Sequence, residues 1–203
     1  MSARPPQISV AGGGTCSART ARLAEAVGRE IAAAGAVLVC GGLGGVMEAA
    51  ARGAARRGGL VVGLLPGYRR HDGNAHLTVR LPTGLGHARN MLVAAAGDAV
   101  IALPGLHGTL AEVALARVLE RPVVVLGAWR GVPGVVGART PSAAVRQALR
   151  LVQRKTGRRA SGRRAHVPTS ALPPVTPGSV VPGPGCAPER RPPRRWSARR
   201  REV

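Results

Sequence analysis

The chain has 203 residues, of which 30 are basic and 9 are acidic, so its formal net charge is +21. This length is enough for one α/β domain with a substantial buried core. The sequence contains no apolar run of the roughly 20 residues that a membrane-spanning helix needs, and residues 1–15 lack the regions of a secretory signal. We therefore expect a soluble, cytoplasmic protein without a membrane partner.

The positive charge is concentrated at the C-terminal end. Residues 153–203 contain 13 basic residues, 2 acidic residues and 9 of the 17 prolines. Such a composition buries too little apolar surface to offset the entropy of ordering. We therefore predict a folded domain over residues 1–152 and a disordered, basic tail over residues 153–203.

Three interpretations of this tail stay open. Arginine-rich segments bind nucleic acid through phosphate contacts, but Trp196 is the only aromatic residue available here for base stacking. A solvated extension without a specific partner is the favoured interpretation. Translation of an artefactual reading frame beyond the domain is the third.

Cysteine and histidine residues do not form a metal-binding pattern. Cys16, Cys40 and Cys186 are widely separated and contain no C-x-x-C pair. We expect free thiols, as in a reducing compartment. His76 shares a loop with His71-Asp72, but these residues lack regular spacing and a further ligand nearby, so we expect no metal site.

Short apolar runs alternate with helical patterns along residues 7–152. The runs predict six strands, at residues 7–10, 37–40, 60–65, 77–81, 99–103 and 122–126. Apolar residues spaced by three and four predict helices at residues 18–34, 46–57, 87–96, 110–119 and 141–152. Continuous apolar strands that alternate with helices are typical of a parallel sheet covered on both faces. We therefore predict a doubly wound, mostly parallel, Rossmann-like α/β fold.

Three strands run into glycine-rich turns that open helices. Ligands of such sheets bind beyond the carboxyl ends of the strands, and helix N-termini at that edge attract anions. No acidic residue ends the second strand, which argues against ordinary NAD binding. We predict a site for a phosphorylated ligand, formed by Gly12, Gly13, Gly14, Gly41, Gly42, Gly44, Gly45, Gly86, Arg89, Asn90, Pro104, Gly105, Gly108 and Thr109.

Two charged residues near these turns are candidates for chemistry. Arg89 is predicted in the first turn of its helix and is suited to contact phosphate or carboxylate. Glu112 is predicted one turn into its helix, where it can stabilise a cationic centre or position water. Each candidate also has a purely structural interpretation. Thr109 and Glu112 match a capping box, which would stabilise the start of a helix. Arg89 is alternatively a charge on the helix surface or at an interface.

Three segments in this order resemble the lonely-guy superfamily: VCGGLGGVMEAA at residues 39–50, PTGLGHARN at 82–90 and PGLHGTLAE at 104–112. The chain is most similar to the small bacterial branch related to molybdenum-cofactor carrier proteins and to the Rossmann part of DNA-processing proteins. The resemblance covers residues 7–152. Leu106 stands where the superfamily hallmark P-G-G-x-G-T-x-x-E has its second glycine.

The resemblance implies a homodimer or larger homo-oligomer that binds a nucleotide or molybdopterin-type ligand, with no obligatory cofactor. In the enzymatic branch, an Arg and the hallmark Glu hydrolyse the N-glycosidic bond of a nucleoside 5′-monophosphate, and these map to Arg89 and Glu112. Asn90 stands where those enzymes have a lysine. Our leading expectation is a binding protein, with a phosphoribohydrolase as the alternative and nucleic-acid binding through the tail as a third class.

Overall fold

The computed structural model describes residues 4–161 of the chain. Within them, seven parallel strands form one sheet in the order β4-β3-β2-β1-β5-β6-β7. The strands are β1 Gln7–Ala11, β2 Val37–Cys40, β3 Val61–Leu65, β4 Val79–Pro82, β5 Ala99–Ala102, β6 Val123–Leu126 and β7 Val136–Ala138. The helices are α1 Ala18–Ala33, α2 Val46–Ala55, α3 Arg89–Ala96, α4 His107–Val118 and α5 Pro141–Ser161. The predicted doubly wound α/β fold is confirmed.

Helices cover both faces of the sheet, which explains why its central strands are apolar throughout. Helices α1, α2 and α5 pack on one face and α3 and α4 on the other. In β5, Ile101 belongs to the core under α1, α2 and α5, whereas Val100 belongs to the core under α3 and α4. Successive strand residues point to opposite faces, so a doubly covered strand needs apolar side chains at every position. The helices in residues 4–161 include no candidate membrane span.

The chain reverses its direction across the sheet between β1 and β5, which are central neighbours. The connections from β1 and β5 therefore diverge at the carboxyl edge and leave a crevice between them. The glycine-rich turns after β1, β2 and β5 all lie at this edge. The topology thus places the predicted ligand loops side by side.

Two elements differ most from those predicted, and α4 begins at His107, three residues before its predicted start. Strand β7 was not expected, because Val136-Gly137-Ala138 is short and two of its three residues are exposed. Helix α5 continues to Ser161, so its predicted end near Val152 is wrong. The reason is that Leu151 and Val152 pack against the core and Lys155 Nζ donates a hydrogen bond to the Glu120 carbonyl at 2.5 Å. The rest of the predicted tail, residues 162–203, lies outside the described residues.

Glycines allow α1 and α2 to pack with their backbones in contact. A Cβ at Gly28 would overlap the carbonyl of Ala50, and a Cβ at Gly53 would overlap the carbonyl of Glu25. Backbone cannot move aside as a flexible side chain can. We expect Gly28→Ala and Gly53→Ala each to lower the free energy of unfolding by about 1–3 kcal/mol, despite the better helix propensity of alanine.

Urea unfolding followed by circular dichroism measures this effect. Gly131→Ala is the matched control, because a Cβ there meets no atom within 4 Å. Equal stability of Gly28→Ala and Gly131→Ala would contradict a close backbone contact between α1 and α2.

Candidate functional site

A cavity of about 220 Å³ opens where the strand order reverses. It lies between the loops that follow β1 and β5, and the β2–α2 loop and the start of α3 complete it. Its lining residues are Gly12, Gly13, Gly14, Thr15, Leu43, Met47, His87, Arg89, Asn90, Leu106, Gly108, Thr109 and Glu112. Eight of the predicted site residues therefore line one cavity.

Backbone hydrogen bonds join the three glycine loops around this cavity. Gly13 N donates to the Pro104 carbonyl at 3.1 Å, and Val46 N donates to the Gly13 carbonyl at 2.9 Å. Gly45 has a positive φ of 64°, and a Cβ there would overlap the backbone of Gly14. The loops approach so closely because their residues have no side chains at these points.

The other predicted glycines do not line the cavity, and some of them pack against residues that do. A Cβ at Gly105 would overlap the Thr109 hydroxyl, so Gly105 lets the β5–α4 loop close on the cavity wall. Gly44 lies against the Gly14 carbonyl, behind the lining. Gly42 packs toward Leu65 and away from the cavity. Gly86 is outside the lining, and a Cβ there would meet no atom within 4 Å.

Arg89 is the first residue of α3 and is 93% buried, with a relative exposure of 7%. Its guanidinium lies against Gly41, where a Cβ would overlap it. Nη1 donates to Glu112 Oε1 at 3.2 Å and to Asn90 Oδ1 at 3.0 Å. Nε is buried, and no group in residues 4–161 accepts its hydrogen. A buried donor without an acceptor costs about 1–3 kcal/mol, and an anion held against Arg89 in this cavity would offset that cost.

Glu112 faces Arg89 from α4 and is 6% exposed. Burial raises the pKa of its carboxyl to about 7, and the charge and hydrogen bond of Arg89 oppose part of this increase. The side chain therefore exchanges its proton near neutral pH. A carboxyl and a guanidinium with these properties in one cavity can bind an anion or transfer a proton.

The capping-box interpretation of Thr109 and Glu112 is wrong. Helix α4 begins at His107, and its N-cap residue Leu106 makes no side-chain capping bond. Thr109 lies within the first turn and is buried against Gly105, while Glu112 turns to Arg89. The first backbone N–H groups of α4 consequently have no side-chain cap, and they present the positive end of the helix at the cavity.

Sequence reasoning missed several contributors. Leu43 and Met47 line the cavity from the β2–α2 connection, inside a motif that was recognised for its glycines. Trp129 Nε1 donates to the Leu103 carbonyl at 2.9 Å and so supports the end of β5. Trp129 has a positive φ of 65°, which is rare for a bulky residue. A sequence pattern could not identify this long-range contact.

The lining of this cavity does not include Cys16, Cys40, His71 or His76, and Cys186 lies outside the described residues. Burial raises the pKa of the Cys40 thiol to about 11, and Cys16 is exposed. His71 Nε2 lies 3.5 Å from an Asp72 oxygen, with both side chains exposed. In the described part of the chain, no three His, Cys, Asp or Glu residues are grouped as metal ligands.

The chain is similar in sequence and in structure to several known proteins. Residues 5–156 match the sequence profile of the SLOG cluster4 family. An uncharacterized protein of Archaeoglobus fulgidus is 47% identical over 129 residues, which cover 60% of this chain and 84% of that protein. The structure of the molybdenum cofactor binding protein from Rippkaea orientalis has a TM-score of 0.71 and 33% identity, over 74% of this chain and 99% of that one.

Two further structures are similar. The molybdenum cofactor carrier protein of Chlamydomonas reinhardtii has a TM-score of 0.67 and 31% identity, over 74% of this chain and 99% of that chain. DNA processing protein A from Helicobacter pylori, solved for its single-stranded DNA binding mode, has a TM-score of 0.56 and 22% identity, over 72% and 81% of the two chains. At that identity the second likeness concerns the fold alone.

Proposed function

The chain belongs to the SLOG cluster4 family, and from this premise we propose that it is a cytoplasmic binding protein for a small phosphorylated ligand. The ligand class is a nucleotide or a molybdopterin-type cofactor carried as cargo. The proposal depends on one observation: Arg89 lines the cavity, and its buried Nε has no acceptor in residues 4–161. A phosphate oxygen supplies the missing acceptor.

The charges around the cavity favour an anion. Arg89 contributes a permanent positive charge, since a guanidinium stays protonated in proteins. The uncapped N-terminus of α4 adds backbone N–H donors at the positive end of the helix. Glu112 is the one acidic residue of the lining, and with a pKa of about 7 it can become neutral when an anion binds.

The size of the cavity indicates how much of the ligand it encloses. Its volume of about 220 Å³ is below the range that begins near 300 Å³ for typical small-molecule pockets. The phosphate and the atoms next to it fit inside, and the rest of the ligand lies over the mouth. Leu106 is 76% exposed there and offers an apolar contact to a ring system.

Two proteins more than 30% identical to this chain are described as binding or carrying the molybdenum cofactor. This likeness supports a molybdopterin-type cargo as one form of the proposal. The unpaired Nε of Arg89 fits the phosphate of such a cargo. The homodimer or larger homo-oligomer implied by the family stays part of the proposal, and light scattering of the purified full chain tests it.

A phosphoribohydrolase is the second candidate function. It is favoured by Glu112, because a carboxyl that titrates near pH 7 is suited to general acid–base catalysis. Glu112 shares the cavity with Arg89, which can hold the phosphate of a nucleoside monophosphate. Hydrolysis of the N-glycosidic bond by water then yields the free base and ribose 5-phosphate.

Thermal unfolding of the full chain with matched ligands tests both candidates. We expect AMP, pyrophosphate or molybdopterin to raise the melting temperature by mass action, and adenosine, which lacks the phosphate, to leave it unchanged. No increase with any phosphorylated probe would contradict the binding proposal. Mass spectrometry of the AMP sample distinguishes the two functions, because adenine released by the wild type and not by Glu112→Gln indicates a hydrolase.

A further inference from the structure

A second concave surface lies on the connection between β3 and β4. It is an open hollow of about 440 Å³, lined by Arg70, His71, Gly73 and Arg80. None of these residues lines the ligand cavity. The hollow is therefore a separate feature, and nothing in the proposed function uses it.

The arginines that line this hollow, Arg70 and Arg80, and their chain neighbour Arg69 make few contacts with other groups. In the described residues, the side chains of Arg69 and Arg70 form no hydrogen bond or ion pair, and Arg80 donates one hydrogen bond to the Asn74 carbonyl at 3.1 Å. Asp72 is the only acidic residue between positions 66 and 97. The surface consequently keeps a positive potential that is available to an external anion.

An exposed aromatic residue directly precedes these arginines in the chain. Tyr68 is 85% exposed and directly precedes Arg69. One side of the ring lies so close to Gly84 that a Cβ there would overlap it. Gly84 N in turn donates to the Gly67 carbonyl at 3.0 Å. The backbone thus supports the ring from one side and leaves it open to a partner.

We propose that Tyr68, Arg69, Arg70, His71 and Arg80 form a binding surface for single-stranded nucleic acid. The arginines contact backbone phosphates, and Tyr68 stacks on an unpaired base. This combination of a basic surface and an open aromatic ring is the usual basis of single-strand binding without sequence preference.

Physical reasons favour a polymer over a small anion. The side chains of Arg69 and Arg70 are exposed, so each separate ionic contact that they make is weakened by water and salt. A polyanion makes several contacts at once and releases bound counterions, which a single phosphate cannot match. A single strand is favoured over a duplex, because duplex bases are stacked on each other and closed to Tyr68.

Fluorescence anisotropy with the full chain and a labelled oligothymidylate of about 20 nucleotides tests the surface. We expect Tyr68→Ala to weaken binding by at least about fivefold, the lower end of what one stacked base contributes, and Tyr68→Phe to bind as the wild type does. The double variant Arg70→Ala/Arg80→Ala loses two phosphate contacts. We expect it to reduce the magnitude of the slope of log association constant against log salt concentration by about 1.4, since each contact contributes about 0.7.

Arg146→Ala/Arg150→Ala is the matched control, because it removes the same charge from exposed positions of α5. We expect it to leave the slope unchanged. An equal reduction of the slope by this control, or equal affinities of Tyr68→Ala and Tyr68→Phe, would overturn the proposal. Thermal unfolding of each variant verifies that the fold is intact.

Crosslinking shows whether an oligonucleotide binds at this surface or at the basic residues beyond position 152. An oligonucleotide containing 5-iodouracil is crosslinked to the full chain by ultraviolet light, and the crosslinked peptides are identified by mass spectrometry. Crosslinks at Tyr68 support the proposal, whereas crosslinks restricted to residues 153–203 refute it. Competition by polyglutamate as strong as that by the oligonucleotide would also refute it, since polyglutamate offers no bases for stacking.

Discussion

Arg89→Ala is expected to abolish binding of phosphorylated probes such as AMP, with an increase in Kd of roughly 100-fold or more. The substitution removes the buried cation of the cavity together with the unpaired Nε donor. Charge-assisted hydrogen bonds are stronger than neutral ones, and no other arginine or lysine lines the cavity. Isothermal titration calorimetry with AMP measures the loss.

Arg89→Lys separates charge from geometry. Lysine keeps the positive charge but lacks Nε and the planar fork of donors, so we expect binding between that of the wild type and that of Arg89→Ala. Arg22→Ala, on the exposed surface of α1, is the control for a general loss of charge. The proposed phosphate contact is wrong if Arg89→Ala binds AMP as Arg22→Ala does.

The fold is expected to survive Arg89→Ala. Without its cation, the Glu112 carboxyl would be buried among uncharged groups, so its pKa would increase further. The group then takes up a proton instead of remaining as an uncompensated charge. Circular dichroism at pH 6 checks that the loss of binding is not a loss of structure.

Binding of an anionic probe is expected to weaken as the pH increases above about 7. Burial raises the pKa of Glu112 from 4.5 to about 7. Below that pH the side chain is neutral, and the charge of Arg89 is free to attract the probe. Above it, the carboxylate pairs with Arg89 and repels phosphate. We expect the association constant to fall by up to about tenfold per pH unit above the pKa.

Calorimetric titrations between about pH 6.5 and pH 8.5 measure this dependence, because a phosphate monoester is mostly a dianion there. At the upper end, titrations in buffers of different ionisation enthalpy should show uptake of up to one proton per bound AMP. Glu112→Gln, which cannot titrate, should bind with little dependence on pH and without proton uptake. The same pH dependence in both proteins would rule out Glu112 as the linked group, without contradicting the phosphate site itself.

Local patterns were sufficient to predict most of the fold. Strand β2 occupies the predicted residues 37–40, and α2 begins at the predicted Val46. Strands covered on both faces need apolar residues at consecutive positions, so the signal is contained in a few adjacent residues. Strand β7 has no such run, and the end of α5 depends on contacts with distant residues. Neither could be recognised locally.

Patterns of neighbouring residues are enough to predict the alternation of strands and helices, the order of the glycine turns and the family. Contacts between distant elements are needed to show that Arg89 and Glu112, 23 residues apart, form a buried pair, and that Nε stays without an acceptor in residues 4–161. The same contacts place Gly86 outside the cavity and leave the ring of Tyr68 open. Burial, pairing and the pKa of a carboxyl depend on which elements pack around a side chain, and the topology of the sheet sets that packing.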